Sequence, residues 1–271
     1  MSLFQTLEDK AKQKRRRIGI SILRWNDPIR ASLEKAKAIA DIIVYGDPKY
    51  GFNGVTNDNQ EEVGRQMVRD YKAGKLDQFV RGQVDDFGTV DEFKKQFGVP
   101  DDLRRFGPAL MRDAFDREFW MILVSNPEGQ TLEQKVRYAD GVLAWLKEMF
   151  PSFVPKVAVM ATCRPGSVGR DPVMTQSYEQ AESLVSHLSG EGIESKNVHI
   201  EIENAITWSN FIIPANGTIG NQIFRALCYL GRGKILVCPT ILPGYGIYED
   251  DSRNEEDWYP HIAAAAAYVK K

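Results

Sequence analysis

From residue 156 the chain alternates short apolar runs with stretches of helical spacing. Strand-type runs occur at 156–162, 197–202, 210–214 and 234–238, and helix-type stretches at 173–189 and 220–230. Few architectures admit that order. A strand followed by a helix and then another strand reads as a crossover unit, and several in series build a mainly parallel, doubly wound sheet. The first half is similar. Strands are expected at Arg17–Leu23, Asp41–Asp47, Phe79–Val84 and Phe119–Val124, and helices at Arg30–Ala40, Glu61–Ala73, Thr89–Phe97 and Thr131–Met149. Thr131 and Gln134 are spaced as a capping box. Residues 49–59, rich in Gly and Asn, read as a loop, and Pro151 and Pro155 bracket a linker. Two α/β domains are therefore expected, 1–153 and 154–247, and ligands of such sheets sit beyond the carboxyl ends of the strands.

Two of those carboxyl ends carry chemistry. The loop Ala161–Asp171 (ATCRPGSVGRD) offers Thr162 and Ser167, small residues for close backbone approach, and Arg164 and Arg170, whose guanidinium forks match phosphate geometry. The loop around Asn216, Gly220 and Asn221 opens the next helix with tight geometry and capping side chains. A loop that opens a helix presents free N–H groups and the positive end of the dipole, a good seat for phosphate or carboxylate. Plain surface turns with helix caps account for the same residues equally well. Neither loop is a Walker or a Rossmann fingerprint, because GK[ST] and G-x-G-x-x-G are absent.

Two further segments join the argument. In YEDDSRNEEDW (Tyr248–Trp258), Ser252 and Arg253 stand among six carboxylates. Either Arg253 holds an anion while Asp257 acts as a base, or the stretch is a solvated acidic loop. Arg81, at the end of an expected strand beside Gly82, either faces the same anion or points to solvent. Glu201 and Glu203 in HIEIEN alternate as on one strand face. His187, His199 and His261 form no local cluster, and Cys163, Cys228 and Cys238 have neither a disulfide framework nor metal-ligand spacing, so no metal is expected.

Composition narrows the partners. The 271 residues carry a net charge of −2, which argues against general nucleic-acid affinity. No apolar run approaches the ~20 residues of a membrane helix, HIAAAAAYV at the C-terminal end being a short Ala-rich helix. The basic run Lys10–Arg17 reads as a solvated flank to the first strand. With no visible secretory signal and three unpaired cysteines, a reduced cytoplasmic setting is expected.

The segments FVRGQVDDFGTVDEF, VAVMATCRPGSVGRDPVMTQSYEQAE, NFIIPANGTIGNQIFRALCYLGRGK and YEDDSRNEEDW, in that order, resemble the phosphate acetyl/butyryl transferase superfamily, and within it the methyltransferase-associated MtxX group. GSVGRD, the Gly220–Asn221 pair and the DSR of 251–253 are the most specific pieces. The resemblance implies an isocitrate/isopropylmalate-dehydrogenase-like fold of two α/β domains flanking a cleft, with 248–271 returning to the first domain. It implies coenzyme A or an acyl phosphate as possible substrate, Ser252, Arg253 and Asp257 as catalytic residues, Arg81 as an anion ligand, and a homodimer. The sequence departs from the acetyltransferases at CRPG and in the shorter spacing from Arg253 to Asp257. Three functions follow: an acyl or related group transferase with an anionic small-molecule ligand, a non-catalytic accessory protein of a methyl-transfer pathway, or a dehydrogenase on the same fold.

Overall fold

The computed structural model describes residues 2–125, 127–250 and 257–269. The chain begins with α1 (Leu3–Lys12), β1 (Arg16–Ile22), α2 (Asp27–Ala36), β2 (Ala40–Gly46), β3 (Asn53–Thr56), α3 (Gln60–Lys72), β4 (Gln78–Val80) and α4 (Asp86–Phe97). It continues through β5 (Ala109–Arg112), β6 (Glu118–Met121), α5 (Leu132–Met149), β7 (Lys156–Met160), α6 (Pro172–Gly190), β8 (Glu194–His199), α7 (Ile202–Trp208), β9 (Phe211–Ile213), α8 (Gly217–Tyr229) and β10 (Lys234–Val237). It closes with β11 (Pro239–Leu242), β12 (Gly246–Glu249) and α9 (Tyr259–Tyr268). Two compact units result: Met1–Arg105 with Leu236–Lys271, and Phe106–Ile235.

In the first unit the strands run β11-β12-β4-β1-β2-β3, all parallel except β11 against β12. Ile18–Ile22 is buried residue after residue, and apolar except for Ser21, because β1 is covered on both faces. Ile18, Ile20 and Ile22 meet α2 and α9 in one core. A second core gathers Tyr45, Met67, Phe79, Phe93 and Tyr248 beneath α3 and α4. The Ala-rich stretch forms α9, whose small side chains let it lie close on the sheet, with Ala263–Ala265 fully buried.

In the second unit the order is β10-β5-β6-β9-β7-β8, with β6, β9, β7 and β8 mutually parallel and β5 antiparallel to β6. The expected break at 153/154 falls inside this unit. β5, β6 and α5 belong with β7 and β9, because β6 pairs directly with β9, and 236–247 belong to the first unit. The capping box at α5 forms with one change. Thr131 Oγ1 accepts from Gln134 N at 3.2 Å, while the Gln134 side chain accepts from Gln130 N at 2.9 Å.

Other elements also differ from expectation. HIEIEN does not continue as a strand: β8 ends at His199 (φ 59°), and Ile202, Ala205 and Ile206 serve α7 at helical spacing. Glu201 and Glu203 therefore do not share a strand face. The Gly/Asn stretch at 49–59 contains the short edge strand β3. The basic run partly ends α1, where Lys10 and Lys12 suit the dipole of the last turn.

Candidate functional site

Strand order assembles the carboxyl edge of the second sheet. β9 and β7 are neighbours, yet the chain leaves β7 for β8 on one side and leaves β9 for β10 on the other. Loops that diverge in this way open a crevice, the usual ligand site of a doubly wound sheet. The two loops singled out in the sequence are the ones that diverge: Ala161–Asp171 follows β7, and Asn216 follows β9.

The first loop is tightly bonded. Thr162 N donates to Ser177 Oγ at 3.1 Å, but Thr162 Oγ1 is buried without a hydrogen-bond partner. Arg164 is exposed and donates through Nε to Glu201 Oε1 at 2.9 Å, and this contact holds the Glu201 carboxyl below its ordinary pKa. Ser167 closes a tight turn, its N–H on Arg164 O at 2.9 Å. Gly169 N donates to Thr175 Oγ1 at 2.9 Å, and Asp171 caps α6 by accepting Met174 N at 2.9 Å. Arg170 is exposed, and no ion pair holds its guanidinium among the described residues. Cys163 is buried, its sulfur 3.5 Å from Met174 O, so it presents no nucleophile to solvent.

At the second loop Asn216 accepts Ile219 N at 3.0 Å, and Gly217 N donates to Glu128 O at 2.8 Å. Asn221 Nδ2 donates to Val124 O at 2.7 Å, strapping α8 to the end of β6. Gly220 is required there, since a Cβ would meet Leu123 O at 2.0 Å. Asn216, Gly220 and Asn221 therefore build the mouth of α8. Of the other expected ligand residues at this edge, Arg170 is exposed, Ser167 is half-buried, Thr162 has a buried hydroxyl and Arg164 is held by Glu201.

The first unit has its own polar carboxyl edge. Arg81 follows β4, its N–H on Glu249 O at 2.9 Å, and Gly82 turns the chain at φ 68° where a Cβ would meet Ser21 O at 2.2 Å. The Arg81 side chain is not in solvent. It is 7% exposed, donates from Nη1 to Val84 O at 2.6 Å and pairs with the Asp250 carboxylate. Beside it Arg105 grips Asp86 with two bonds of 3.1 and 2.7 Å, and Thr240 Oγ1 donates to Asp250 at 2.5 Å. Burial would lower the Arg81 pKa, but Asp250 outweighs it and raises it. Asp86, Arg105 and Thr240 escaped the sequence reading, and nothing in it paired Asp250 of the tail segment with Arg81. Arg81 and Asp250 lie 169 positions apart, and only the pairing of β12 with β4 brings them together.

Glu249, one residue earlier, is fully buried and accepts from Cys238 N (2.5 Å) and Tyr268 Oη (2.8 Å), with His261 Nδ1 at 2.6 Å. Burial raises its pKa, against the pull of His261. The hub ties β12 to α9, and so anchors the chain on both sides of the expected tail motif. Ser252 and Arg253 lie outside the described residues. Asp257 is exposed, one carboxylate oxygen accepting Tyr259 N at 3.1 Å. Among the described residues no group of three or more His, Cys, Asp or Glu is gathered as for a metal ion, and no helix is long and apolar enough to cross a membrane.

No family model matches the chain. Two relatives named "Putative methyltransferase mtx subunit X" are each 28% identical. The one from Methanosarcina mazei matches over 260 residues, 93% of this chain and 90% of that protein. The one from Methanosarcina acetivorans matches over 280, 100% and 97%. The chain resembles the MtxX group. Among solved structures, a branched-chain phosphotransacylase from Enterococcus faecalis superposes with a TM-score of 0.67 at 12% identity, covering 93% of this chain and 98% of that one. A 4-hydroxythreonine-4-phosphate dehydrogenase from Klebsiella pneumoniae reaches 0.52 at 8% identity, covering 94% and 97%. The MtxX-like chain thus has the phosphotransacylase fold, shared more distantly with a dehydrogenase.

Proposed function

We propose that this chain is a phosphate-acyltransferase-like protein that binds an anionic ligand of the phosphate or coenzyme A class. One observation carries the reading: strand order in the second sheet sets the Thr162–Arg170 loop beside the mouth of α8 at the edge where doubly wound sheets take ligands. Among the described residues, Arg170 on this loop is exposed without an ion pair and the buried Thr162 hydroxyl has no hydrogen-bond partner, which supports the reading. Holding an acyl phosphate and a thiol in register would supply most of the rate gain. Arg253 would hold the phosphate and Asp257 would take the thiol proton. The test supplies purified protein with acetyl or butyryl phosphate and coenzyme A and follows thiol loss. Arg253→Ala and Asp257→Asn should each abolish turnover while the fold persists, and wild-type rates in both variants would refute these roles.

A second reading is an accessory protein of a methyl-transfer system that binds the ligand without turning it over. Two observations favour it. The relatives' name makes them methyltransferase subunits. The two helix mouths are already capped by Asp171, by Asn216 and by the Glu128 carbonyl. Stabilisation by coenzyme A without thiol loss would select it.

A further inference from the structure

The cluster at the carboxyl edge of the first sheet contains a polar group that its neighbours leave unsatisfied. Tyr248 is 0% exposed, and its hydroxyl has no hydrogen-bond partner among the described residues. Its ring is fixed by stacking on Phe79 at 4.9 Å. Tyr248 stands opposite Thr240 across β11 and β12, two residues before Asp250, to which Thr240 is bonded, and the charges of Asp250, Asp86, Arg105 and Arg81 act on its hydroxyl. A buried phenol without a partner is costly, and burial keeps it protonated, so its O–H remains able to donate to an oxyanion.

The charges around it balance, two guanidinium groups against two carboxylates. The pairs are unequal, however. Arg105 and Asp86 keep 36% and 30% of their side-chain surface exposed, so solvent reaches the cluster on that side. Arg81 and Asp250 keep 8% and 14%. Burial and the nearby Asp86 charge push the Asp250 pKa up, against the pull of Arg81. The Asp250 backbone is pinned, N–H on Cys238 O at 2.9 Å, so yielding requires only side-chain rotation or protonation. A carboxylate on a guanidinium has the geometry that a phosphate oxygen pair would adopt.

We propose that Asp250 is an internal competitor for an oxyanion. Its carboxylate pairs with Arg81, and a phosphate-type group takes that place with Arg81, Arg105, Thr240 and Tyr248 as its donors. This rests on the anion-binding reading above and adds to it a residue that sets affinity by self-occlusion. Among the described residues, the groups acting on Asp250 include Arg81 after β4, Asp86 on α4, Arg105 on the following loop, Thr240 on β11 and Tyr248 on β12.

The experiment titrates the full chain with inorganic phosphate by calorimetry. Asp250→Asn keeps the side-chain shape and an oxygen for Thr240 but removes the competing charge, so phosphate should bind at least tenfold more tightly than to wild type. Tyr248→Phe removes a hydroxyl that has no hydrogen-bond partner among the described residues. Its melting temperature without phosphate should hold or rise, while phosphate affinity falls at least fivefold. An Asp250→Asn variant that binds no tighter overturns the proposal, as does a gain that survives in Asp250→Asn/Arg81→Gln. Should Asp250→Asn fail to fold, an unchanged phosphate affinity in Tyr248→Phe overturns it. Turnover of acyl phosphate and coenzyme A by wild type, with no gain in Asp250→Asn, sinks this inference alone. Neither turnover nor phosphate binding in either protein sinks the anion-binding reading beneath it.

Discussion

Lys135 offers a quantitative test of how the second unit is built. It lies in the first turns of α5 facing α6, is 3% exposed, and its ammonium donates to Gln180 Oε1 at 2.6 Å with no ion pair among the described residues. Burial lowers its pKa from 10.5 to about 8. The difference is about 2.5 units, and at 1.36 kcal/mol per unit the buried charge costs about 3 kcal/mol at neutral pH. The sign follows from proton counting. Between about pH 8 and 10.5 the unfolded chain holds the proton and the folded chain has released it, so stability rises with pH across that window. Below about pH 8 the cost is present in full. Lys135→Met keeps an unbranched side chain and removes the charge, losing only the Gln180 bond at about 1 kcal/mol. The variant should therefore be about 2 kcal/mol more stable than wild type at pH 7. The gain should shrink above pH 8 and reverse slightly beyond 10.5. Urea titrations of both proteins from pH 7 to 10.5 measure this directly. A variant no more stable at pH 7, or a difference that does not change with pH, would refute the claim that Lys135 is a charge buried without a counter-charge.

Three further outcomes are expected. Glu249→Ala should cost the first unit about 3–5 kcal/mol in a urea titration, because three buried partners lose one acceptor, and a loss below about 1 kcal/mol would contradict the hub. Gly220→Ala should cost about 1–3 kcal/mol, since the new methyl meets a backbone oxygen that cannot rotate aside, and an unchanged melting temperature would contradict the close packing of α8 on Leu123. Arg170→Ala should leave stability within about 0.5 kcal/mol while weakening binding of phosphate or coenzyme A; equal affinity in the two proteins would remove Arg170 from the site.

Much of the secondary structure was legible because its causes are local. The buried run Ile18–Ile22, the Thr131 cap and the helical spacing after Asp171 each fix backbone dihedrals within a few residues of themselves. HIEIEN misled because its alternation fits a strand while the next apolar positions fit a helix, and packing against β7 decided in favour of α7.

The sequence by itself determined the alternation of strands and helices and the two loops that open α6 and α8. Tertiary structure alone decided that those loops follow neighbouring strands that lead in opposite directions. It alone moved β5, β6 and α5 into the second unit and set Asp250 on Arg81. The physical reason is that dihedral preferences and caps act over a few residues, whereas strand order is a choice among long-range pairings that nearly identical apolar runs leave open. The Arg81–Asp250 and Glu249–His261–Tyr268 contacts exist because β12 settles beside β4 and α9 beneath both, and no spacing along the chain encodes that.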